Sequence, residues 1–215
     1  MKRIKQQMLI GQQLLLKLNK GSSGLRKALI RGGAPRNWYH NREANDLDIF
    51  VEVHKGFASR EYWEMKVKLA LDELYKKFDK PDGEWAGVDS SRLVRLGDSY
   101  RTDVHDIYSG GDANIVSVLE GNFEGKQKVQ FVIYNTEDQY RSLEDHFPTD
   151  FSKISFNYNG DIIASAEFLN CVRNRAIMYD RYDISDEYLA RLHAHYPDYA
   201  LVPNDSPVAT AVLYR

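Results

Sequence analysis

Asp46 and Asp48 stand two residues apart in Asp-Leu-Asp-Ile-Phe-Val, a run that alternates polar and apolar residues as a strand does. Residues two apart on a strand share a face, about 7 Å apart. Shortly before comes Ala-Leu-Ile-Arg-Gly-Gly-Ala-Pro-Arg-Asn, an apolar segment running into Gly32 and Gly33. Backbone at a glycine pair can approach a ligand closely. Two carboxylates on one face beside such a turn make a place for a divalent cation and a polyphosphate. Either feature alone is common on solvated strands and turns. Their combination is the chemical signal of this chain.

Several elements must position those residues. Residues 2 to 19 read as an amphipathic helix, with Ile4, Met8, Gly11, Leu15 and Leu18 at helical spacing. Gly21-Ser22-Ser23-Gly24 breaks it. Residues 25 to 31 lead into a first strand, and Ala34-Pro35 fits a helix start. Residues 46 to 53 form a strand with Leu47, Ile49, Val51 and Val53 on one face, and Asp46, Asp48, Phe50 and Glu52 on the other.

Residues 59 to 78 read as a helix, and 79 to 112 as a long irregular insertion. A hairpin is expected from 115–119 and 129–134 across a turn at Gly121 and Gly125, then a strand over 151–158 turned at Asn159-Gly160. The chain reads as helical from Ala164, and Ser206-Pro207 opens a last short helix. This order predicts an α+β fold, a mixed sheet backed by helices rather than a doubly wound parallel one. The expected organisation is a basic N-terminal helix at 1–24, a core at 25–160 carrying the insertion, and a C-terminal helical segment at 161–215.

Composition narrows the function classes. With 43% hydrophobic and 28% charged residues over 215 positions, the chain can bury a sizeable core. Cys171 is its single cysteine, which excludes an intrachain disulfide and a cysteine-cluster zinc site and fits a reducing cytoplasm. The apolar run from Leu14 to Leu18 is too short for a membrane span, so no membrane partner is expected. Residues 1 to 42 hold ten Lys and Arg and no acidic residue, a segment charge of +10 that leaves −12 on the remainder. That segment either faces a polyanion, such as nucleotide phosphates or RNA, or packs beside acidic surface of the same chain. His193 and His195 point apart on a helix and make a poor metal pair. Trp38, Tyr39 and His40 follow the glycine turn, placed either to stack on a base or to pack in the core.

Gly32-Gly33-Ala34-Pro35-Arg36-Asn37, followed after a short gap by Asp46-Leu47-Asp48-Ile49, resembles the polymerase-β-type nucleotidyltransferase superfamily. The nearest branch is the head domain of CCA-adding enzymes and bacterial poly(A) polymerases. The resemblance implies a mixed-sheet core, Mg²⁺ (or Mn²⁺) as cofactor and an NTP as substrate. It implies transfer of NMP to an acceptor hydroxyl on RNA (including a tRNA 3′ end), a small molecule or a protein. Asp46 and Asp48 would hold the metal, Gly32 and Gly33 would admit the triphosphate, and Arg36 would support the turn or the phosphate. Residues 147 to 153 resemble a later segment of the same branch, which implies Asp150 as third metal carboxylate and catalytic residue, with Lys153 on phosphate.

The chain departs from the branch pattern at Asn37, where Asp is usual, and at Gln130, where the superfamily usually supplies a carboxylate. These departures sustain a second reading, a catalytically inactive nucleotidyltransferase fold kept for binding protein or nucleic acid. The compact length would suit a phage or mobile-element protein. Base preference, acceptor and oligomeric state have no signature here.

Overall fold

Helix α1 (Lys2–Asn19) is set down on its apolar stripe: Ile4, Leu14, Leu15 and Leu18 are all buried. The computed structural model describes residues 2–19, 27–53, 115–123, 127–135, 147–181 and 184–206. The expected break at 21–24, helix at 59–78, insertion at 79–112 and final helix from 207 lie outside the described residues. Two compact units account for the chain. The first comprises 1–99, 113–140 and 155–163, the second 100–112, 141–154 and 164–215.

In the first unit, α1 leads to β1 (Lys27–Arg31), α2 (Gly33–Tyr39), β2 (Asp46–Val53), β3 (Ile115–Phe123), β4 (Gln127–Asn135), β5 (Ile154–Phe156) and β6 (Ile162–Ala164). The strands form a six-stranded sheet in the order β3-β4-β2-β1-β5-β6. β2 and β4 are parallel, while β1 pairs antiparallel with both β2 and β5, and β3 antiparallel with β4. The fold is thus α+β with a mixed sheet, as expected. The hairpin is longer than its apolar runs suggest, and Gly121 lies inside β3, paired with Val129, rather than in the turn.

One face of this sheet carries the core: Ala28 and Ile30 of β1, Leu47, Ile49 and Val51 of β2, Val129 and Phe131 of β4, and Phe156 of β5, joined by the α1 stripe and by Ala34 and Trp38 of α2. A Cβ at Gly11 would lie 2.6 Å from Ile30 Cδ1 and 3.5 Å from Trp38, so the bare backbone lets the helix sit close on the sheet without displacing the end of Ile30. Asn19 ends α1 by accepting from Ala28 N with Oδ1 (3.1 Å) and donating Nδ2 to Ala28 O (3.2 Å). Helix end and first strand are thereby stitched together.

In the second unit, a 3₁₀ turn (Asp150–Ser152) precedes α3 (Ala166–Asn174), β7 (Ala176–Tyr179), α4 (Asp186–His195) and β8 (Ala200–Pro203). Phe151 is fully buried among Phe168, Tyr196 and Tyr199, at ring centroid distances of 5.5, 4.9 and 4.8 Å. Ser165 and Ser185 cap α3 and α4, accepting from Phe168 N and Tyr188 N. Two expectations are corrected here. The strand expected over 151–158 is only three residues long, because 150–152 curls into the 3₁₀ turn. The stretch expected to be helical from Ala164 also holds β7 and β8, which pair in parallel across α4. Four-residue apolar runs carry no period that separates them from a helix. The break before β7 falls at Arg175, which takes a left-handed φ of 49° without the glycine that usually announces it.

Candidate active site

β2 delivers the two carboxylates as its alternation dictates. Leu47, Ile49 and Val51 are wholly buried in the core, so Asp46 and Asp48 take the opposite face, where both are half-buried. The register then shows what lies beside them. Asp48 pairs with Gln130 on β4, and Gln130 with Glu120 on β3. Asp46 pairs with Lys128, and Lys128 with Asn122. On β1 the last paired residue is Ile30, opposite Ile49. One further step in the same antiparallel register sets Arg31 opposite Asp48, and Arg31 in turn pairs with Ser155 on β5. Directly opposed residues share a face. A polar row therefore crosses four strands: Ser155, Arg31, Asp48, Gln130. The next row on that face, Leu29, Phe50 and Val132, is apolar.

Gln130 and Arg31 are both about 5% exposed, so they are parts of a built face rather than solvated edges. In the sequence Arg31 is one of ten basic residues among the first 42, and only the strand register singles it out. Asp48 engages its surroundings, yet its Oδ1 atom is a buried oxygen that accepts no hydrogen bond. Two carboxylates on one face, one with such an oxygen, are a donor set suited to a hard divalent cation. Among the described residues, no group of three or more His, Cys, Asp or Glu side chains is placed to hold a metal.

Two buried glutamines fasten the approach to Asp46. Gln7 of α1 donates Nε2 to Ala44 O (2.6 Å) and to Gln127 Oε1 (2.9 Å), while its Oε1 accepts from Ala44 N (3.0 Å) and Trp38 Nε1 (3.3 Å). Gln127 donates Nε2 to Asn45 O (3.3 Å) and Lys128 O (3.2 Å). The two residues before Asp46 are thus clamped by side chains from α1 and β4. Asn37 adds a third tie, donating Nδ2 to Glu43 O (3.0 Å). A carboxylate cannot donate, so an amide at this position holds the loop in a way the usual Asp would not. Trp38, fully occupied in the core and with Gln7, is not a base-stacking surface; Tyr39 beside it is 40% exposed.

The glycine turn lies between β1 and α2. Gly32 has φ 71° and ψ −115°, a conformation that L side chains rarely adopt, whereas Gly33 has no such constraint. A Cβ at either position would meet no atom within 4 Å, so open space borders the turn. Arg36 is buried on α2, donating its backbone N–H to Gly32 O (3.3 Å) and holding His40 Nδ1 at its own carbonyl (2.9 Å). It supports the turn from within. Burial pushes the His40 imidazole below its ordinary 6.5, and the nearby Arg42 and Arg36 guanidinium groups push the same way.

Asp150 and Lys153 belong to the second unit. Asp150 opens the 3₁₀ turn, and its Oδ1 lies 2.7 Å from Lys153 Nζ, with both side chains about 15% exposed. The structure brings these two together as an ion pair. The thiol of Cys171 is buried and its pKa is pushed up to about 12, chiefly by desolvation, so it is no nucleophile. His193 and His195 are exposed near the end of α4, and Arg173 and Arg175 are exposed at the end of α3. No described helix is long and apolar enough to cross a membrane.

No protein-family model matches the chain. No curated protein matches it either. Solved structures do. A structure described as a tRNA-processing enzyme in its first apo form aligns with TM-score 0.51 and 17% identity over 95% of this chain and 45% of its own. A Thermotoga maritima CCA-adding enzyme complexed with tRNA aligns at TM-score 0.49 and 11% identity, over 98% of this chain and 42% of that one. A Bacillus stearothermophilus CCA-adding enzyme in complex with CTP aligns at TM-score 0.43 and 15% identity, over 91% and 40%. The chain spans less than half the length of each of these proteins. At such identities the likeness is one of fold, shared with the structure described as a tRNA-processing enzyme.

Proposed function

We propose that this chain is an Mg²⁺-dependent nucleotidyltransferase, in which an acceptor hydroxyl attacks the α-phosphate of an NTP and pyrophosphate leaves. A bond forms between the acceptor oxygen and the α-phosphorus, and the bond from that phosphorus to the β-phosphate bridging oxygen breaks. The observation that carries this reading is the pairing of Asp46 and Asp48 on one half-buried sheet face, in a fold that matches a structure described as a tRNA-processing enzyme. A bound divalent cation would activate the hydroxyl and neutralise charge on the leaving group. Asp46 and Asp48 would hold it, and Mg²⁺ keeps several waters and takes substrate phosphates as further ligands. The Gly32–Gly33 turn leaves room for the triphosphate, and Arg36 holds that turn in shape.

RNA is the acceptor class the chain favours. Its basic segment ends just before the site, and the structure it matches at TM-score 0.51 is described as a tRNA-processing enzyme. The second reading, an inactive fold kept for binding, draws support from Gln130, an amide directly beside Asp48 where a further carboxylate would strengthen the site. One experiment separates the two. Radiolabelled NTPs are incubated with total RNA or total protein, with and without Mg²⁺. Label entering RNA only with the metal is the expected result. Label entering protein would keep the enzyme and change its acceptor, and no label in either fraction would leave the binding module.

A further inference from the structure

Arg31 sits on the candidate face where a positive charge bears on both expected ligands. It follows Ile30 in β1, so the register that pairs Ile30 with Ile49 sets it opposite Asp48. It immediately precedes Gly32 and Gly33, the turn bordered by open space. It is 5% exposed, pairs with Ser155 on β5, and is set by the β1–β2 register opposite Asp48. A guanidinium is charged at every accessible pH, and its planar fork fits a carboxylate and a phosphate equally well. A cation and a metal cannot both neutralise one carboxylate without repelling each other.

We propose that Arg31 is the counter-charge of Asp48 in the ligand-free protein and moves to the triphosphate when nucleotide binds, so that metal and nucleotide bind each other's complex far better than the bare protein. The inference rests on the proposed role of Asp46 and Asp48. It adds a coupling that the two carboxylates would not produce on their own: a switch of partners at one guanidinium. Before nucleotide arrives, Arg31 occupies the charge of Asp48 and disfavours the cation. The triphosphate, entering beside Gly33, draws the guanidinium away and brings phosphate oxygens to complete the cation's ligand shell. Binding linkage is reciprocal, so the cation must strengthen nucleotide binding by the same factor.

The test measures binding, not turnover. Mn²⁺ affinity is read by electron paramagnetic resonance, with and without a non-hydrolysable NTP analogue, for the wild-type protein and Arg31→Met. Wild type should bind Mn²⁺ at least about tenfold more tightly with the analogue. Arg31→Met should bind Mn²⁺ alone about tenfold more tightly than wild type does, and should bind the analogue about tenfold more weakly. If wild type binds no Mn²⁺ under either condition, the metal reading itself fails. If wild type binds Mn²⁺ with the analogue but Arg31→Met leaves the metal-alone affinity unchanged, the metal reading stands and the role given to Arg31 is overturned. Should Arg31→Met not fold, Asp48→Asn and Asp46→Asn carry the test in chelator. Each removes one negative charge, but only Asp48 faces Arg31. Asp48→Asn should gain severalfold more affinity for the metal-free analogue than Asp46→Asn does, and equal gains in both would overturn the proposal.

Discussion

Asp48 and Asp150 make an instructive pair, since both are half-buried carboxylates for which the sequence suggests one chemistry. Asp150 finds its cation three residues on, at the residue that ends its own 3₁₀ turn, with Lys153 Nζ at 2.7 Å. Asp48 has its neighbours assembled from three other strands, Arg31 and Ser155 on one side and Gln130 on the other. A carboxylate served by its own turn is complete within a few residues, and its first duty is to hold the turn. A carboxylate whose surroundings come from the register of a whole sheet is placed by the fold, which is how rigid sites are made.

The sharpest way to break this comparison is to neutralise the carboxylates one at a time. Asp46→Asn and Asp48→Asn should each lower turnover about a thousandfold or more, as losing several kcal/mol at the transition state requires, while leaving the protein folded. Asp150→Asn should cost turnover much less. Steady-state kinetics with circular dichroism decides it: an Asp150→Asn loss equal to that of Asp48→Asn, in a folded protein, would erase the distinction, and near-normal turnover in Asp48→Asn would sink the site.

The glycine turn offers a second contrast, inside the site. Gly33 is free of backbone constraint and faces open space, so Gly33→Val should fold normally yet lose nucleotide affinity tenfold or more, because the added side chain stands in the triphosphate's path. Gly32 holds φ 71°, so Gly32→Ala should instead lose about 1–2 kcal/mol of stability. Calorimetry and urea unfolding separate the two. Unchanged nucleotide affinity in folded Gly33→Val would place the ligand elsewhere.

Much of the first unit was legible in the sequence because its signals are short-range. The Asp46–Asp48 face follows from a period of two, the α1 stripe from a period near 3.6, and the glycine turn from residue type alone. What escaped depends on distant pairing. Arg31 opposite Asp48, Gln127 beside Asn45 and the Gln7 clamp on Ala44 join residues 17, 82 and 37 positions apart, and no local pattern marks them. The second unit was less legible even locally. β7 and β8 are too short to show a period, and Arg175 ends α3 in a left-handed conformation that its residue type does not advertise. The Asp150 segment was read by resemblance, and resemblance does not report a carboxylate already paired with its own lysine.

If the Asp150–Lys153 pair is chiefly structural, its strength should appear in stability. A double-mutant cycle with Asp150→Asn and Lys153→Met should give a coupling of about 1 kcal/mol, between the values for exposed and buried pairs. A coupling near zero with a clear fall in turnover would return Asp150 to the chemistry.

The smallest expected effect lies beside the site, at His40. Its imidazole is half-buried, and burial, opposed by the hydrogen bond from Nδ1 to Arg36 O at 2.9 Å and aided by the charges of Arg42 and Arg36, lowers its pKa from 6.5. Protonation would therefore charge a group that the fold holds neutral. As pH falls below about 6.5, the unfolded chain takes up this proton while the folded protein resists it, so the unfolded state binds more protons and stability declines. Above 6.5 both states are neutral there and the contribution is flat. Urea midpoints taken between pH 7.5 and pH 5.5 should fall more steeply for wild type than for His40→Gln, which cannot titrate. Because Arg36 links His40 to the Gly32 turn, the same acid step should loosen nucleotide binding slightly in wild type and leave His40→Gln flat. Equal slopes in both proteins would show that the imidazole's burial carries no energetic weight, and that the turn is held by Arg36 alone.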